Sequence, residues 1–245
     1  MALKASKQAI LVDEFIFNCD TSAVETTIDV AELPTNNLCD GDDDAYVPGL
    51  RTWRITQTGY FDGVDADGIE KELYDRLGVT GAQVSHVINR TVTNDVVHTL
   101  PDAFNAELPI SAVTAEIITM NGAWAAVDSG YRGRLVSYNT TISATGNGTS
   151  IDLGSAGSAG GYFFLHVHQI DDDTSGTSTD SVIKMQSSSD DSTFADEATI
   201  TFSATGGYSA TMSGTVNRYI RISTTDLGGA TTLEVTAIVY VANVT

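Results

Sequence analysis

Asp67-Gly68-Ile69-Glu70-Lys71-Glu72-Leu73-Tyr74-Asp75-Arg76-Leu77-Gly78 is the one stretch of this 245-residue chain that reads clearly as a helix. Asp67 is placed to cap its N-terminus, and Glu70 three residues on completes an aspartate form of the capping box. Ile69, Leu73 and Leu77 fall at i, i+4 and i+8, which makes one apolar stripe. Lys71 with Asp75 and Glu72 with Arg76 are i, i+4 ion pairs. Gly78 stands where a glycine ends a helix in the left-handed region. A short amphipathic helix near 67–77 of this kind should lie across a sheet.

Outward from it, strand signals dominate. Thr, Val and Ile are abundant, and Gly, Ser, Asn and Asp punctuate short runs. Leu50 to Tyr60 puts Trp53 and Ile55 on one face. Ala82 to Arg90 alternates Ala82, Val84, His86 and Ile88 on one face. Leu108 to Met120 and Tyr131 to Ser143 read as two further long strands. Runs of this length suit a sheet that bends or extends beyond one core. The four prolines, Pro34, Pro48, Pro101 and Pro109, fit loop or strand-edge positions.

The texture changes at the turn-rich stretch 143–150. Shorter, evenly spaced strands follow at Tyr162–Ile170, Ser181–Gln186, Ala198–Ser203, Tyr208–Met212, Val216–Ser223 and Thr232–Val241. Turn clusters at Asp171–Thr179, Ser187–Ser192 and Thr225–Gly229 separate them. That spacing predicts an antiparallel sandwich. The fold class is therefore mainly β, a sandwich or barrel with one short helix over residues 1–145 and a C-terminal antiparallel β-sandwich over 146–245.

The net charge is −20, from 32 acidic and 12 basic residues. Residues 1–142 hold 21 acids and 9 bases, a net of −12, and residues 143–245 hold 11 and 3, a net of −8. Acidity is thus a property of both halves and not of one tail. It excludes a basic groove for nucleic-acid backbone. Many Asp and Thr with only four lysines resemble a protein of high-salt solvent, where a Debye length of about 3 Å screens the self-repulsion. No run of 18 apolar residues is present. The stretch Ala9-Ile10-Leu11-Val12 is cut short by Asp13 and Glu14 and lacks the length of a secretory signal. The chain is expected to stay in the compartment where it is made.

Chemistry-bearing patterns are sparse. Asp40-Gly41-Asp42-Asp43-Asp44 is the densest acidic cluster, and Asp40, Asp42 and Asp44 have the spacing of the first three calcium ligands of an EF-hand. The pattern then fails, with Ala45 at the glycine position and Arg51 at the bidentate glutamate, so a solvated loop is the simpler reading. Asp62, Asp65 and Asp67 complement the positive end of the helix dipole. Cys19 and Cys39 supply half a zinc set at most, and a disulfide and two buried thiols both remain open. His166 and His168 share one strand face, where two imidazoles can hold a metal, but a half-buried structural role is favoured. His86 and His98 have no nearby Ser or Cys with an oriented acid. No nucleophile elbow, phosphate loop or dinucleotide fingerprint is present. No enzymatic activity, cofactor or firm metal site is expected.

Two stretches carry a family resemblance. Thr52-Trp53-Arg54-Ile55-Thr56-Gln57-Thr58-Gly59-Tyr60-Phe61-Asp62, the helix, and then Ala82 to Arg90 resemble the core of tail tube proteins of long-tailed phages. There a strand ends in a Gly-aromatic-aromatic-Asp phrase and leads into a short helix. A later strand in that family carries a phrase like Gly133-Arg134-Leu135-Val136, preceded by residues such as Ala112–Trp124. Gly161–Ile170, Val182–Phe194 and Gly214–Ile222 are similar to a β-sandwich module of virion proteins, including the C-terminal part of some tube proteins.

The resemblance implies a structural virion subunit that forms stacked rings, usually six-fold, around a lumen through which viral DNA passes without specific binding. It implies homo-oligomers, tail partners such as the tape measure and tail terminator, no membrane, assembly in host cytoplasm and residence in the virion tail. Asp40, Asp42, Asp43 and Asp44 would form a stacking or lumen loop, the arm Met1–Gln8 would contact the next ring, and the C-terminal module would decorate the outside. An acidic exterior points to a halophilic, archaeal host. A capsid decoration, baseplate or receptor-binding protein is the alternative, and a carbohydrate-binding surface module a third.

Overall fold

A computed structural model describes residues 7–17, 21–34, 46–61, 68–114, 116–172 and 179–243. Among them run seventeen strands and one helix. The first half holds β1 (Ala9–Val12), β2 (Phe15–Ile16), β3 (Thr21–Pro34), β4 (Tyr46–Tyr60), α1 (Ile69–Asp75), β5 (Ala82–Val87) and β6 (Val96–Asn105). Then come β7 (Ile110–Ser111), β8 (Thr119–Ala126), β9 (Tyr131–Ile142), β10 (Gly146–Asn147) and β11 (Ile151–Asp152). The C-terminal strands are β12 (Gly161–Asp172), β13 (Ser181–Ser188), β14 (Ala195–Phe202), β15 (Gly206–Met212), β16 (Tyr219–Leu227) and β17 (Ala230–Val241). The fold is mainly β, with two antiparallel sheets and one short helix.

The first sheet has twelve strands, in the order β15-β12-β17-β9-β6-β5-β1-β2. From β6 a branch leads through β8 to β4 and β3, with β7 also on β8. The second sheet runs β10-β16-β13-β14, with β11 on β16. Pairing of β17 with β9 carries the first sheet across residue 145, where the sequence texture changes.

The first sheet is curled, because strands far apart in its order touch. His166 of β12 bonds Ser85 of β5 across the three intervening strands, and Gln83 of β5 donates to the Leu165 carbonyl of β12. Gly207 of β15 lies so close to Gln83 and Asp13 that a Cβ there would stand 2.5 Å from Gln83 Cβ and 2.7 Å from Asp13 Oδ1. Inside the curl sit Ala9, Leu11, Val87, Val97, Leu135, Phe164 and Ile238.

Its outer faces are covered in turn. Phe163, Leu165 and Val167 of β12 and Val235, Ala237 and Val239 of β17 meet the second sheet in a core whose members, Val136 excepted, all follow residue 150. On the other flank, Ile69 and Leu73 of α1 pack with Trp53, Ile55, Val84, Leu100, Met120 and Trp124. Each such aliphatic or aromatic side chain contributes about 1.5–3 kcal/mol by leaving water.

This layering corrects three expectations. The strand read over Ala82 to Arg90 ends at Val87, before Ile88, and all six of its residues are buried, so both of its faces are covered. Leu108 to Met120 is not one strand. Ile110 pairs with Met120 and Ser111 with Thr119, so the chain doubles back between β7 and β8. At the helix, Gly68 takes the N-cap without a side-chain bond, while Asp67 lies outside the described residues. Ile69 and Leu73 are buried, but Leu77 falls past the last turn and is exposed. The pairs Lys71–Asp75 (2.5 Å) and Arg76–Glu72 (2.8 Å) are formed. Gly78 adopts φ +72°, and its N–H bonds the Asn105 carbonyl.

Pro101 lies inside β6, where the ladder changes neighbour. Val96 to Thr99 pair with β9 and Ala103 to Asn105 with β8. The missing N–H therefore falls at a break in one ladder.

Candidate functional site

The four histidines are the side chains best equipped for acid–base or metal chemistry in this chain. His166 is fully buried. Its Nδ1 lies 2.8 Å from the Asp13 carbonyl and its Nε2 2.8 Å from Ser85 Oγ. A carbonyl only accepts, so Nδ1 carries the proton and Nε2 accepts from the serine, whose Oγ lies 2.9 Å from Thr99 Oγ1. His168 repeats the pattern, with Nδ1 donating to the Glu14 carbonyl (2.7 Å) and Nε2 on Thr236 Oγ1 (2.9 Å). The two rings stack at 6.2 Å. With each nitrogen engaged, neither ring offers a lone pair to a cation. Their shared task is to hold the Asp13-Glu14 turn of the β1–β2 hairpin against β12.

Burial sets their titration. It pushes His166 down to about 3, helped by His168 and opposed by the Asp13 hydrogen bond. It lowers His168 as well, against the Glu14 bond.

Ser85 and His166 form a serine–histidine contact that the sequence does not reveal, because 81 positions separate them. The length suits a nucleophile and its base. Both residues are at 0% exposure, however, and a carbonyl stands where an orienting carboxylate would be. No substrate reaches that oxygen.

Asp13 is the buried acid of the same junction, held at φ 48°. Its Oδ1 accepts from the Gln83 N–H at 2.8 Å. Arg76 approaches Oδ2 to 2.7 Å, an ion pair without hydrogen-bond alignment. Burial raises the Asp13 pKa, against the Gln83 bond and the Arg76 charge.

His86 and His98 face each other across the β5–β6 ladder, ring centroids 6.4 Å apart. Thr26 Oγ1 of β3 lies 2.8 Å from His86 Nδ1. Burial, then His98, pushes His86 down to about 4, and burial with Arg132 lowers His98.

Among the described residues, no group of three or more His, Cys, Asp and Glu is set to hold a metal, and no helix is long and apolar enough to cross a membrane. Asp40, Asp42, Asp43 and Asp44, the acidic loop expected to serve assembly or a cation, lie outside the described residues, as do Cys19, Cys39, Asp62 and Asp65.

What the surface does offer is an arm. β3 and β4 pair from Thr21↔Gly59 to Pro34↔Tyr46. β8 covers the edge of β4 only from Arg54 to Tyr60. Beyond Trp53 the two strands have no other partner among the described residues, so the distal hairpin has two open edges. Ile28 stands opposite Trp53, Val30 opposite Arg51 and Leu33 opposite Val47. Ile28, Val30 and Arg51 share the face that, nearer the root, buries Trp53 and Ile55, whereas Leu33 and Val47, past the register shift after Val30, lie on the other face. A core-facing stripe thus runs out past its own core in Ile28 and Val30, which are exposed, as are Leu33, Tyr46, Val47 and Leu50 around the tip, Leu50 at 84%. Pro48 sits opposite Glu32, beside the register shift after Val30, where a missing donor is tolerated.

No family model matches the chain, and no curated protein does. Among solved structures, a chain from the virion of a native gene transfer agent particle aligns at 12% identity over 54% of this chain and 98% of its own, TM-score 0.41. A chain of the sheath–tube complex of an extracellular contractile injection system aligns at 12% over 54% and 90%, TM-score 0.40. The SPP1 Dit protein, a hub adsorption apparatus of Gram-positive-infecting phages, aligns at 7% over 95% and 98%, TM-score 0.36. Overlaps this loose do not carry a function from one chain to another.

Long two-stranded ribbons with open edges and bare apolar faces aggregate or find a partner. The sequence signal for the arm is the alternation of Thr26, Ile28 and Val30. It reads identically for a stripe covered by the chain's own core and for one left open.

Proposed function

We propose that this chain is a structural subunit of a virus-like tail that self-assembles, through the β3–β4 arm, into stacked, six-fold rings enclosing a conduit for DNA. The observation that carries this reading is the arm itself, on which the exposed Ile28 and Val30 continue a core stripe past the end of that core. A monomer leaves that face in water. A ring of copies covers it and satisfies the open edges. The resemblance of Thr52–Asp62 and the strands around it to tube proteins supports the same assignment. In this reading residues 1–145 build the tube wall and 146–245 lie outside it. Asp40, Asp42, Asp43 and Asp44 contact the next ring or the lumen. Net charge of −20 keeps passing phosphates from sticking, and the repulsion between copies makes assembly depend on salt, in keeping with a saline host. Tail terminator and tape-measure proteins are the partners this role needs.

Negative-stain microscopy of the purified chain in molar salt tests it. Rings or tubes of constant bore are expected. A monomer at every salt and protein concentration refutes the reading, and rings that close without stacking shift it to a baseplate or hub component.

A further inference from the structure

His86 and His98 differ from the other two histidines in what their ring nitrogens meet. Nε2 of His86 and Nδ1 of His98 are buried and have no hydrogen-bond partner. With its N–H on Nδ1, neutral His86 donates to Thr26 Oγ1 and leaves only a bare lone pair at Nε2. An imidazolium carries N–H groups on both nitrogens. On either ring, the added one would be a buried donor without an acceptor. His166 and His168 have a partner at each nitrogen, so the conflict is confined to the His86–His98 pair.

The surrounding charges add to it. His86 stands opposite Ile10 of β1 and His98 of β6, and His98 stands opposite Arg132 of β9. The other contacts are Thr26 of β3 on His86 and Trp53 of β4, whose ring lies 6.0 Å from that of His98. Among the described residues, the charges that act on the two rings are each other's and that of Arg132, with no carboxylate, in a chain that holds 32 acids. A proton on this pair is accommodated only where the ring reaches water. His86 is 3% exposed, so something over it has to move.

The strand least held is β3. At this level β5 is bonded on both edges, to β1 and β6, and β4 on both edges, to β3 and β8. Among the described residues β3 is bonded to β4 alone. Its root is kept down by that one ladder, by Val24 packed on the core and by the Thr26–His86 bond. We infer that the His86–His98 pair is an acid-operated catch under the root of the arm, and that protonation releases the edge strand β3 over Thr21–Thr27 while the rest of the fold stays closed. The catch belongs to the single chain and does not depend on self-assembly. Because the arm projects from this stretch, acid frees the arm at its base.

Once released, His86 titrates near its ordinary 6.5, against about 4 when covered. Release therefore takes up a proton and is favoured as the pH falls below 6.5. His86 alone raises the release constant about thirtyfold between pH 7.5 and 5, and His98, also lowered by burial, acts in the same direction.

Hydrogen exchange read by mass spectrometry on the full chain tests this at pH 7.5, 6.5, 5.5 and 5 and constant salt, with each rate divided by the intrinsic rate at that pH. The ladder amides of 21–27 should lose protection about thirtyfold or more across that range. They should also stay less protected than those of Phe163–Val167, which report opening of the whole fold. His86→Gln keeps a partner for Thr26 but takes up no proton, and should flatten the 21–27 profile by about one proton. His166→Gln should leave that profile unchanged. Protection of 21–27 that stays level, or that falls in step with and equals that of Phe163–Val167, overturns the catch. So does a His86→Gln profile as steep as the wild type, or a His166→Gln profile flattened as much as that of His86→Gln.

Discussion

Mild acid should destabilise this protein through its buried histidines. The perturbation is a change from pH 7.5 to pH 5 at constant salt. His166, pushed to about 3, and His86, pushed to about 4, both stay neutral in the fold across that range. In the unfolded chain each protonates below its ordinary value near 6.5. The unfolded state then binds more protons, so stability falls with falling pH, at about 1.4 kcal/mol per pH unit per ring once the pH is well below 6.5. By pH 5 this amounts to about 2 kcal/mol for each ring and about 4 for the two. That is a large part of the roughly 5–15 kcal/mol that holds a domain together. His98 and His168, also lowered by burial, act in the same direction. Asp13 acts oppositely, because its raised pKa favours proton uptake by the folded state. It is one group against four. The aspartates whose pKa values are lowered, Asp152, Asp171, Asp190 and Asp196, lose their contribution only as the pH drops toward 4 and below, beneath this range. Urea denaturation at pH 7.5, 6.5, 5.5 and 5 reads the effect, and His166→Gln should flatten the profile by about one proton. A stability that stays level or rises on acidification would refute the assignment of these rings as buried neutral groups.

Two further predictions concern packing. Leu73→Ala should cost about 2–5 kcal/mol, since it is fully buried between α1 and the sheet. Leu73 packs where a Cβ on Gly122 would stand, so Gly122→Ala should destabilise the wild type and do so much less in the Leu73→Ala background, a coupling that a double-mutant cycle in urea measures. Gly133→Ala would place a Cβ 2.6 Å from the Val239 carbonyl oxygen and 3.2 Å from Ile238 Cγ2. With backbone on one side that cannot yield, it should cost about 1–3 kcal/mol, seen as a lower melting temperature, and an unchanged melting temperature would contradict the β9–β17 register.

Local signals are most informative where each strand is short and bounded by turns. The C-terminal strands are legible because Asp, Gly and Ser clusters interrupt Val- and Ile-rich runs, and β12, β13, β15 and β17 start within two residues of their expected positions. The helix is legible from its stripe and ion pairs, although its N-cap is not, since Gly68 supplies backbone conformation without a side-chain oxygen. β6 escapes notice because Pro101 argues against a strand unless the ladder is known to break there. The run 108–120 misleads because apolar residues on both limbs of a turn look like one strand when the pairing of Ile110 with Met120 is unknown.

The sequence by itself determined the class of protein: strand-rich, acidic in both halves, with one short helix and no recognised catalytic motif. Those properties are sums or local patterns of residue types, and they need no contact between distant parts of the chain. Tertiary structure alone decided that the first sheet curls, which buries both faces of β5 and brings Ser85 against His166. It alone decided that Trp53 is covered while Leu50, on the same strand, is not. The physical reason is that an apolar stripe looks the same whether or not something lies over it, and what lies over it comes from residues far away in the chain.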